Sequence, residues 1–536
     1  MKSATPKDAS AVILLDQTLE KVLWIQRNPA LKFLGGWHAF PGGKLEANDA
    51  EIKIENCAGQ DLEKYIVCAV RELFEETGVL LTRGGDKLTV GQRASLHDDL
   101  VSERFSLKEI FETWGLWIDA TDFFYTGFWT TPEFSPIRFK TRFFLAFCPP
   151  KQTPFPAMTE LISTEFITPE NALEKWRNAK VLISPPVLIS LKELCSPQRR
   201  RDAEKIFDRK EINTNDKNFE STSASLPDGK TSNLSASLRL CGKNLLKKSE
   251  QLDGKIDYIE LNPHITVFPL RTETLPPATH TNCFIVGYKK FVVIDAASKE
   301  ETEQQKLFKL IDERIEANCV CEEIIVSHLH PDHFGSETAL QKHLKEKFDL
   351  EIPISAHHLT AESLLGKIEI QKFIEDEQIF DLQDKNGERF QLTALHTPGH
   401  ARGHLCFYDA AKGFLLSSDN VVGTGSVAIA PPEGNLIDYL SSLERMKNLP
   451  NLKHLCGSHG AAVFDAKAKI ESYIAHRLER EKQILDALEL GAKTPEEIAK
   501  IVYQNLDEGL FPLAVKSVLA HLEKIENDKF SAKTAQ

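Results

Sequence analysis

Apolar residues fall into short runs whose spacing predicts strands and helices along most of the chain. Residues 11–15 and 21–25 are apolar runs joined by a polar turn, which predicts a β-hairpin. Residues 281–287 and 291–295 repeat this pattern, and residues 324–326 predict a short buried strand. The end of the chain has helical spacing instead, in residues 467–490, 494–499 and 513–525. The pattern indicates a multidomain chain of α/β and α+β class.

A polar stretch divides the chain into two parts. A chain of 536 residues exceeds one ordinary core, so roughly two to four domains are expected. Residues 196–250 have few apolar residues and are rich in Asn, Ser, Thr, Asp and Lys, which is typical of a linker. We therefore predict domains over residues 1–195, 251–466 and 467–536, with the linker over residues 196–250.

Charge and cysteine usage narrow the function classes. The net charge of −13 argues against a broad nucleic-acid-binding surface, although a local basic groove would be compatible with it. The ten cysteines include no CxxC pair, which favours reduced thiols in a reducing compartment. The N-terminus has no signal-peptide core and no apolar run approaches membrane-spanning length. We expect a cytoplasmic protein without membrane contact and leave its oligomeric state open.

The loop after the strand at residues 324–326 concentrates potential metal ligands. His328 and His330 are two positions apart, so an extended segment turns both imidazoles to one side. Asp332 and His333 follow the turn at Pro331 and can reach a second ion beside the first. Imidazole and carboxylate ligands without thiolate suit zinc with a position open for water. The sequence therefore predicts a zinc site at this strand end.

Three further residues downstream complete a resemblance to the metallo-β-lactamase superfamily. His400 lies on a glycine turn, Asp419 follows an apolar run, and His459 lies between glycines, so the motifs HxHxDH, H, D and H occur in order. The resemblance implies an αββα sandwich that holds two zinc ions and activates water. It implies one zinc on His328, His330 and His400, the other on Asp332, His333 and His459, and Asp419 bridging them. Asp332 would also orient the attacking hydroxide, and a catalytic role is expected for it. We interpret the remaining histidines as structural or surface residues, among them His343, His357, His358, His396 and His404.

The helical tail after residue 467 is similar to the small winged-helix domain of the β-lactamase-like protein 2 subgroup. That subgroup includes an endoribonuclease acting on single-stranded RNA. The usual glycine of the wing is absent, and residues 526–529 are Glu-Asn-Asp-Lys instead. Because the tail mixes acidic and basic residues evenly, a packing or dimerisation role is at least as well supported as RNA contact.

A second set of potential ligands lies on one predicted helix near the N-terminus. Glu72, Glu75 and Glu76 occupy positions i, i+3 and i+4, so their carboxylates share one helix face. Val70, Leu73 and Phe74 form the opposing apolar stripe, and Gly78 is placed to end the helix. Three anions on one face repel one another unless a cation lies among them, and hard oxygen ligands favour Mg²⁺ or Mn²⁺. An ordinary solvated glutamate-rich helix is the alternative interpretation.

These residues resemble the Nudix hydrolase box, G-x5-E-x7-R-E-U-x-E-E-x-G-U with U aliphatic. Gly43 begins the box, Glu63 stands eight residues before Arg71, and residues 71–79 match without a gap. With Glu63 as the first glutamate, 14 additional residues lie between Gly43 and Glu63. The resemblance implies an α/β/α sandwich in which Glu72, Glu75 and Glu76 bind the metal and Arg71 orients the carboxylates. Which glutamate acts as the base stays open.

The segment from Arg27 to Gly43 is similar to the coenzyme A-binding signature of one Nudix branch, with Lys32 where arginine is usual. Residues 129–132, 138–144 and 160–173 add to that likeness. We therefore predict a bifunctional hydrolase: an Mg²⁺-dependent pyrophosphohydrolase of a nucleoside-diphosphate-linked compound and a dizinc hydrolase of an ester, thioester or phosphodiester. One alternative is an RNA-processing endoribonuclease, and another is a Nudix domain that senses a ligand and regulates its neighbour. The substrate of either site is not determined by the sequence.

Overall fold

The computed structural model describes residues 4–57, 61–157, 160–195, 245–246, 256–504 and 506–534. The chain divides into two compact units, Lys2–Ile256 and Asp257–Gln536. The predicted linker at residues 196–250 lies outside the described residues, except for residues 245–246. The domain boundaries at residues 195, 250 and 466 stay predictions.

The first unit is built on one mixed sheet. Its strands are β1 (Lys7–Leu15), β2 (Val22–Arg27), β3 (His38–Ala39), β4 (Gly42–Lys44), β5 (Phe124–Thr130), β6 (Phe139–Phe147) and β7 (Leu161–Ile167). They lie in the order β3-β2-β1-β6-β5, with β4 paired to β1 and β7 to β2. The predicted hairpin is present, because β1 and β2 pair antiparallel from Leu15 and Val22.

Helices cover both faces of this sheet. They are α1 (Glu63–Thr77), α2 (Val90–Val101), α3 (Leu107–Trp114), α4 (Pro169–Arg177) and α5 (Pro185–Leu194). Side chains alternate along β1, so Val12 and Leu14 join the core with α1, α2 and α3. Ala11 and Ile13 point the other way into the core with α4 and α5. The first unit is therefore the predicted α/β/α sandwich, and its strand β1 is buried on both faces.

The second unit contains the remaining strands. They are β8 (Ile259–Asn262), β9 (Ile265–Arg271), β10 (His280–Gly287), β11 (Lys290–Ile294), β12 (Val320–Ile325), β13 (Ile354–Ala356), β14 (Lys372–Phe373), β15 (Ile379–Gln383), β16 (Arg389–His396), β17 (Leu405–Asp409), β18 (Phe414–Ser418) and β19 (His454–Gly457). The sequence predicted two mixed sheets, whereas the described strands form one continuous ladder of twelve. The ladder is continuous because β11 pairs with β10 and β12 and also meets β15 through one residue pair, Lys290 and Gln383.

Seven helices belong to the second unit. They are α6 (Glu301–Glu316), α7 (Glu337–Phe348), α8 (His358–Ser363), α9 (Leu436–Lys447), α10 (Ala466–Glu489), α11 (Pro495–Val502) and α12 (Phe511–Thr534). Helices α6 and α7 pack on β9 to β13 in one apolar cluster. Helix α9 and the start of α10 pack on β16 to β19 in another. Helices therefore flank the strands on two sides, as an αββα arrangement requires.

The helical tail shares part of its core with the strands before it. Ile470 and Tyr473 of α10 and Ala520 of α12 are buried in the cluster formed with β17 to β19. The Tyr473 hydroxyl also accepts a hydrogen bond from the Val422 N–H. A second, smaller cluster joins the end of α10 to α11 and α12. Helix α12 runs through residues 526–529, where the sequence lacks the glycine of a wing. Among the described helices, none combines the length and apolar character needed to cross a membrane.

Candidate active sites

A buried aspartate fixes the loop of residues 327–333 by hydrogen bonds. Asp295 directly follows β11 and is fully buried. Its carboxylate accepts hydrogen bonds from the Ser327 N–H at 2.8 Å, the Ser327 hydroxyl at 2.7 Å and His333 Nδ1 at 2.9 Å. Because Nδ1 of His333 donates to Asp295, the orientation of the ring is fixed, and Nε2 faces Asp419. The apolar pattern predicted only a strand end at Asp295, although a carboxylate at the end of a buried strand was a signal for this role.

Three histidines predicted to share a metal ion lie together. His328 Nε2 is 3.0 Å from His330 Nδ1, and the His330 and His400 rings have centroids 4.5 Å apart. One ligand atom from each of the three falls within 4.8 Å of the others. His400 is oriented by its Nδ1, which donates to the Ala428 carbonyl at 2.9 Å. The turn before His400 needs a glycine, because a Cβ on Gly399 would lie 2.3 Å from the Tyr439 backbone.

The predicted second group also converges. One ligand atom each of Asp332, His333 and His459 lies within 4.8 Å of the others. The Asp332 Oδ2 atom is 3.5 Å from His459 Nε2, and His459 Nδ1 donates to the His280 carbonyl at 2.9 Å. Asp419 lies between the two groups, with Oδ2 at 3.4 Å from His333 Nε2 and 3.7 Å from His400 Nε2, and Oδ1 at 3.5 Å from His459 Nε2. The fold therefore brings together the seven residues that the sequence singled out.

Several of these atoms are buried without a hydrogen-bond partner. They are Nε2 of His333, Nε2 of His400 and Oδ1 of Asp419. A buried polar atom left unsatisfied costs about 1–3 kcal/mol, so three in one place are unfavourable unless they bind something. Metal ions would satisfy all of them at once, and the imidazole and carboxylate donors suit zinc. The residues present thus fit a metal centre.

Burial keeps two of these histidines in the form that binds metals. Burial, reinforced by the neighbouring His330, lowers the pKa of His400 to about 3. Burial and the surrounding histidines also hold the pKa of His328 well below its ordinary value. Both imidazoles are therefore neutral near pH 7, and neutral imidazole is the state that coordinates metals.

His404, interpreted from the sequence as a structural or surface residue, contacts the backbone of Asp419. Its Nε2 accepts a hydrogen bond from the Asp419 N–H at 3.2 Å, so its Nδ1 carries the proton. That proton is donated to the Thr397 hydroxyl at 3.0 Å. His404 therefore supports the position of Asp419, and this contact is compatible with the structural role expected for a histidine outside the motif spacing.

In the first unit, Arg71 joins the carboxylates of α1. Its Nη1 lies 3.0 Å from Glu72 Oε1 and 2.9 Å from Glu75 Oε2. Its Nη2 donates to the Lys44 carbonyl at 3.0 Å. Helix α1 ends as predicted at Gly78, whose left-handed backbone donates to the Phe74 carbonyl. Arg71 is placed to orient the carboxylates.

The acid that partners Arg71 is Asp49. The expectation that Glu63 is the first acid of the Nudix box is therefore wrong. Arg71 Nε lies 2.8 Å from Asp49 Oδ1, and Nη2 lies 3.1 Å from Oδ2. Glu63 instead begins α1 and forms a long, exposed pair with Lys53 at 3.8 Å. Asp49 stands six residues after Gly43, the position of the first box glutamate, so the 14 additional residues follow it. Counting forward from Gly43 could have found Asp49, but the motif has a glutamate there and so favoured Glu63.

Glu72 and Glu76 lie deep in the site. A Cβ on Gly43 would be 2.5 Å from the Glu72 carboxylate, so glycine allows this approach. Burial raises the pKa of Glu72 to about 7, with Arg71 opposing the shift. Burial, with Glu72 nearby, also raises the pKa of Glu76 well above its ordinary value, and Glu76 Oε2 accepts the Gly42 N–H at 2.9 Å. Among the described residues, only the histidine-rich groups bring three ligand atoms within 4.8 Å, so the glutamates are less closely gathered.

Three regions of the chain match the models of known families. Residues 5–184 match the model of the NUDIX domain, and residues 276–459 match the metallo-beta-lactamase superfamily. Residues 494–529 match the beta-lactamase associated winged helix domain. The matched regions lie where the sequence predicted a Nudix fold, a metallo-β-lactamase fold and a winged-helix tail, and they confirm the predicted fold class.

Curated relatives match less than half of the chain. The beta-lactamase-like protein 2 homolog of Drosophila melanogaster is 28% identical over 256 residues, 46% of this chain and 82% of the relative. An atrochrysone carboxyl ACP thioesterase of Claviceps purpurea is 28% identical over 245 residues, 44% of this chain and 71% of the relative. The lactamase-like protein adaB of Aspergillus niger is 31% identical over 211 residues, 39% of this chain. The chain spans 59% of the length of adaB.

Solved structures resemble each half. A metallo-β-lactamase family protein from Thermus thermophilus is 22% identical, with a TM-score of 0.40, over 50% of this chain and 95% of its own. A NUDIX hydrolase from Alicyclobacillus acidocaldarius is 27% identical, with a TM-score of 0.30, over 36% of this chain and 91% of its own.

Proposed function

We propose that the protein is a bifunctional hydrolase with one active site in each unit. The first unit cleaves the pyrophosphate bond of a nucleoside-diphosphate-linked compound, and the second cleaves an ester, thioester or phosphodiester bond. The observation that carries the proposal is the convergence of seven ligand side chains, with orphaned buried atoms on His333, His400 and Asp419.

Each residue of the second site has a proposed role. His328, His330 and His400 would hold one zinc ion, Asp332, His333 and His459 another, and Asp419 would bridge them. Two zinc ions would supply an activated water at neutral pH and neutralise negative charge that develops on the attacked group. Asp332 would orient that water, a role supported by the proximity of its carboxylate to both His333 and His459.

A thioester is the bond that we place first for this site. Relatives of the second half are named as atrochrysone carboxyl ACP thioesterases. A thioester carbonyl is open to attack by water and develops negative charge on oxygen, as the site requires. Coenzyme A thioesters would also give the two domains related substrates, since the segment from Arg27 to Gly43 is similar to a coenzyme A-binding signature.

In the first site, Glu72, Glu75 and Glu76 would hold Mg²⁺ or Mn²⁺. The bound cations would neutralise the pyrophosphate and stabilise the leaving phosphate. Arg71 keeps the carboxylates of Glu72 and Glu75 in place, and Asp49 holds Arg71. Burial raises the pKa of all three glutamates, so their charged forms are costly at these positions, and a bound cation would offset that cost.

Hydrolysis by purified variants tests the proposal. The panel contains coenzyme A, its thioesters, nucleotide sugars, dinucleotides, cyclic nucleotides and single-stranded RNA. Wild type is compared with His330→Ala for the second site and with the double variant Glu75→Gln/Glu76→Gln for the first. We expect each variant to lose a different substrate, which would name the bond cleaved at each site.

Matched controls separate a site effect from a general one. His343→Gln changes a histidine bound to Asp312 outside the metal groups, and Glu63→Gln changes an exposed glutamate on the same helix as the ligands. Both controls should retain both activities. If the double glutamate variant loses no activity while His330→Ala loses all of it, the Nudix domain is a ligand-sensing module. Loss of RNA cleavage alone in His330→Ala, with wild-type activity falling steeply with salt, would support the endoribonuclease alternative.

The cysteines suggest where the protein works. Nine cysteines are free among the described residues, and most are buried. Reduced thiols fit a reducing compartment, so we propose the cytoplasm. Fractionation of cells with an antibody against the chain tests this location.

A further inference from the structure

Helix α10 lies beyond the last predicted ligand, His459, and contacts the loop of residues 421–428. Two of its side chains, Tyr473 and Arg477, are four positions apart and therefore share one face of the helix. Both side chains are buried. This face of α10 is thus turned toward the loop and away from solvent.

Hydrogen bonds join this face to the loop at two points. The Tyr473 hydroxyl accepts the Val422 N–H at 3.3 Å, and its own proton has the Gly425 carbonyl within reach at 3.3 Å. One turn further along α10, Arg477 Nη2 donates to the Val427 carbonyl. A hydrogen bond from a charged donor is roughly twice as strong as a neutral one, so the contact at Val427 is the stronger of the two.

The loop depends on such contacts because it has no regular structure. Residues 421–435 form neither helix nor strand, and residues 425 and 426 are exposed. The backbone groups of such a segment must find their partners outside a helix or a β-ladder. Side chains of α10 supply partners for the loop near both of its ends.

The same loop contacts two of the predicted ligands. Ala428 comes directly after the bonded Val427, and its carbonyl accepts the His400 Nδ1–H at 2.9 Å. Near the start of the loop, the Gly423 N–H donates to the His459 carbonyl at 2.8 Å. Because Nδ1 of His400 is the donor, Nε2 is left without a proton and can bind a metal ion. The place of one loop carbonyl therefore determines the orientation of His400 and the nitrogen that carries its proton.

We propose that α10 is a positioning element of the second metal site, in which Arg477 and Tyr473 hold the loop of residues 421–428 so that the Ala428 carbonyl stays bonded to His400. The proposal rests on the proposed dizinc function and adds two residues outside its ligand set. It assigns a role to a helix that lies between the matched family regions, which end at residue 459 and resume at residue 494. The helical tail is then connected to the metal site through α10.

The test reads the proton position on His400 in the metal-free full chain. Heteronuclear NMR of isotope-labelled histidine distinguishes the two protonated nitrogens, and His400→Gln identifies the signal. Arg477→Met removes the guanidinium and keeps an apolar stem, and Tyr473→Phe removes one oxygen. Arg477 Nε is buried without a hydrogen-bond partner, so an apolar side chain avoids a cost there and the variant should fold.

Matched controls make the same changes in the tail without touching the loop. Arg480→Met removes a guanidinium that donates to the Val502 carbonyl at 3.0 Å. Tyr503→Phe removes a hydroxyl that lies 3.3 Å from the Ser517 hydroxyl. A general disturbance of the helices would appear in these controls as well.

We expect wild-type His400 to carry its proton on Nδ1, and Arg477→Met and Tyr473→Phe to show a mixture of the two forms. Zinc affinity, titrated in competition with a chromophoric chelator, should fall about tenfold in these variants, as loss of an outer-shell partner does. Both controls should match wild type.

The proposal is overturned if either variant keeps the wild-type His400 signal, if neither variant weakens zinc binding, or if the controls change equally. Should Arg477→Met fail to fold, Tyr473→Phe alone decides. A wild-type chain that binds fewer than two zinc ions refutes the dizinc function itself. That result is distinguishable, because the His400 signal is measured without metal.

Discussion

The contact between Arg71 and Asp49 is where the structure differs most clearly from the prediction based on motif spacing, which favoured Glu63. If Asp49 is the acid of the Nudix box, Asp49→Asn should destabilise the first unit. The asparagine keeps the shape of the side chain, but it carries no charge and must turn one N–H toward a guanidinium. The matched change is Glu63→Gln, which alters the residue that the motif spacing from Arg71 favours.

The size of the effect follows from burial and geometry. The Arg71 and Asp49 side chains are only 9% and 1% exposed, and their contact is bidentate. Breaking a buried pair from one side costs about 3–5 kcal/mol. We expect the lower end, about 3 kcal/mol, because Arg71 retains Glu72, Glu75 and the Lys44 carbonyl. Glu63 is 40% exposed and its partner Lys53 is 87% exposed, so Glu63→Gln should change stability by less than about 0.5 kcal/mol.

Tryptophan fluorescence during urea unfolding measures this difference in the intact chain. The protein has six tryptophans, and all lie in the first unit: Trp24, Trp37, Trp114, Trp117, Trp129 and Trp176. Selective excitation therefore follows the unfolding of this unit within the whole protein. Asp49→Glu, which restores the usual box residue, should recover most of the lost free energy.

The reasoning would be refuted by equal destabilisation in Asp49→Asn and Glu63→Gln, or by a larger loss in the glutamate variant. Pyrophosphohydrolase activity provides a second readout. Because Arg71 holds Glu72 and Glu75, we expect Asp49→Asn to lower kcat more than it changes KM. Normal turnover in a destabilised Asp49→Asn protein would show that the contact serves folding alone.

Three further predictions follow from buried contacts. In the metal-free chain, Glu72 is protonated below its raised pKa of about 7, so Mn²⁺ must displace a proton there. The Mn²⁺ affinity measured by calorimetry should therefore fall about tenfold per pH unit below pH 7 and level off above it. Gly399→Ala should lower the stability of the second unit by about 3 kcal/mol and reduce zinc retention on dialysis, because its Cβ would lie 2.3 Å from the Tyr439 backbone; unchanged unfolding would contradict that packing. Asp295→Asn should weaken zinc binding by about 10–100-fold in chelator competition, because it removes the charged acceptor of His333, and wild-type affinity would show that Asp295 only supports the fold.

The sequence by itself determined the residues whose chemistry depends on close spacing. His328, His330, Asp332 and His333 lie within six residues, so their common direction follows from one loop after one strand. The three glutamates follow in the same way from one helix. The family matches confirmed the Nudix and metallo-β-lactamase folds that these motifs indicated, and the winged-helix fold indicated by the helical tail.

Only the tertiary structure decided which distant residues support those motifs. Asp49 meets Arg71 across 22 positions, and Asp295 meets His333 across 38. Such partners are single aspartates without a periodic neighbour, so the count from Gly43 and the strand end before Asp295 were the only local signals for them. Their role arises because the fold buries a charged group and must supply a hydrogen bond to it, a requirement that local sequence does not record.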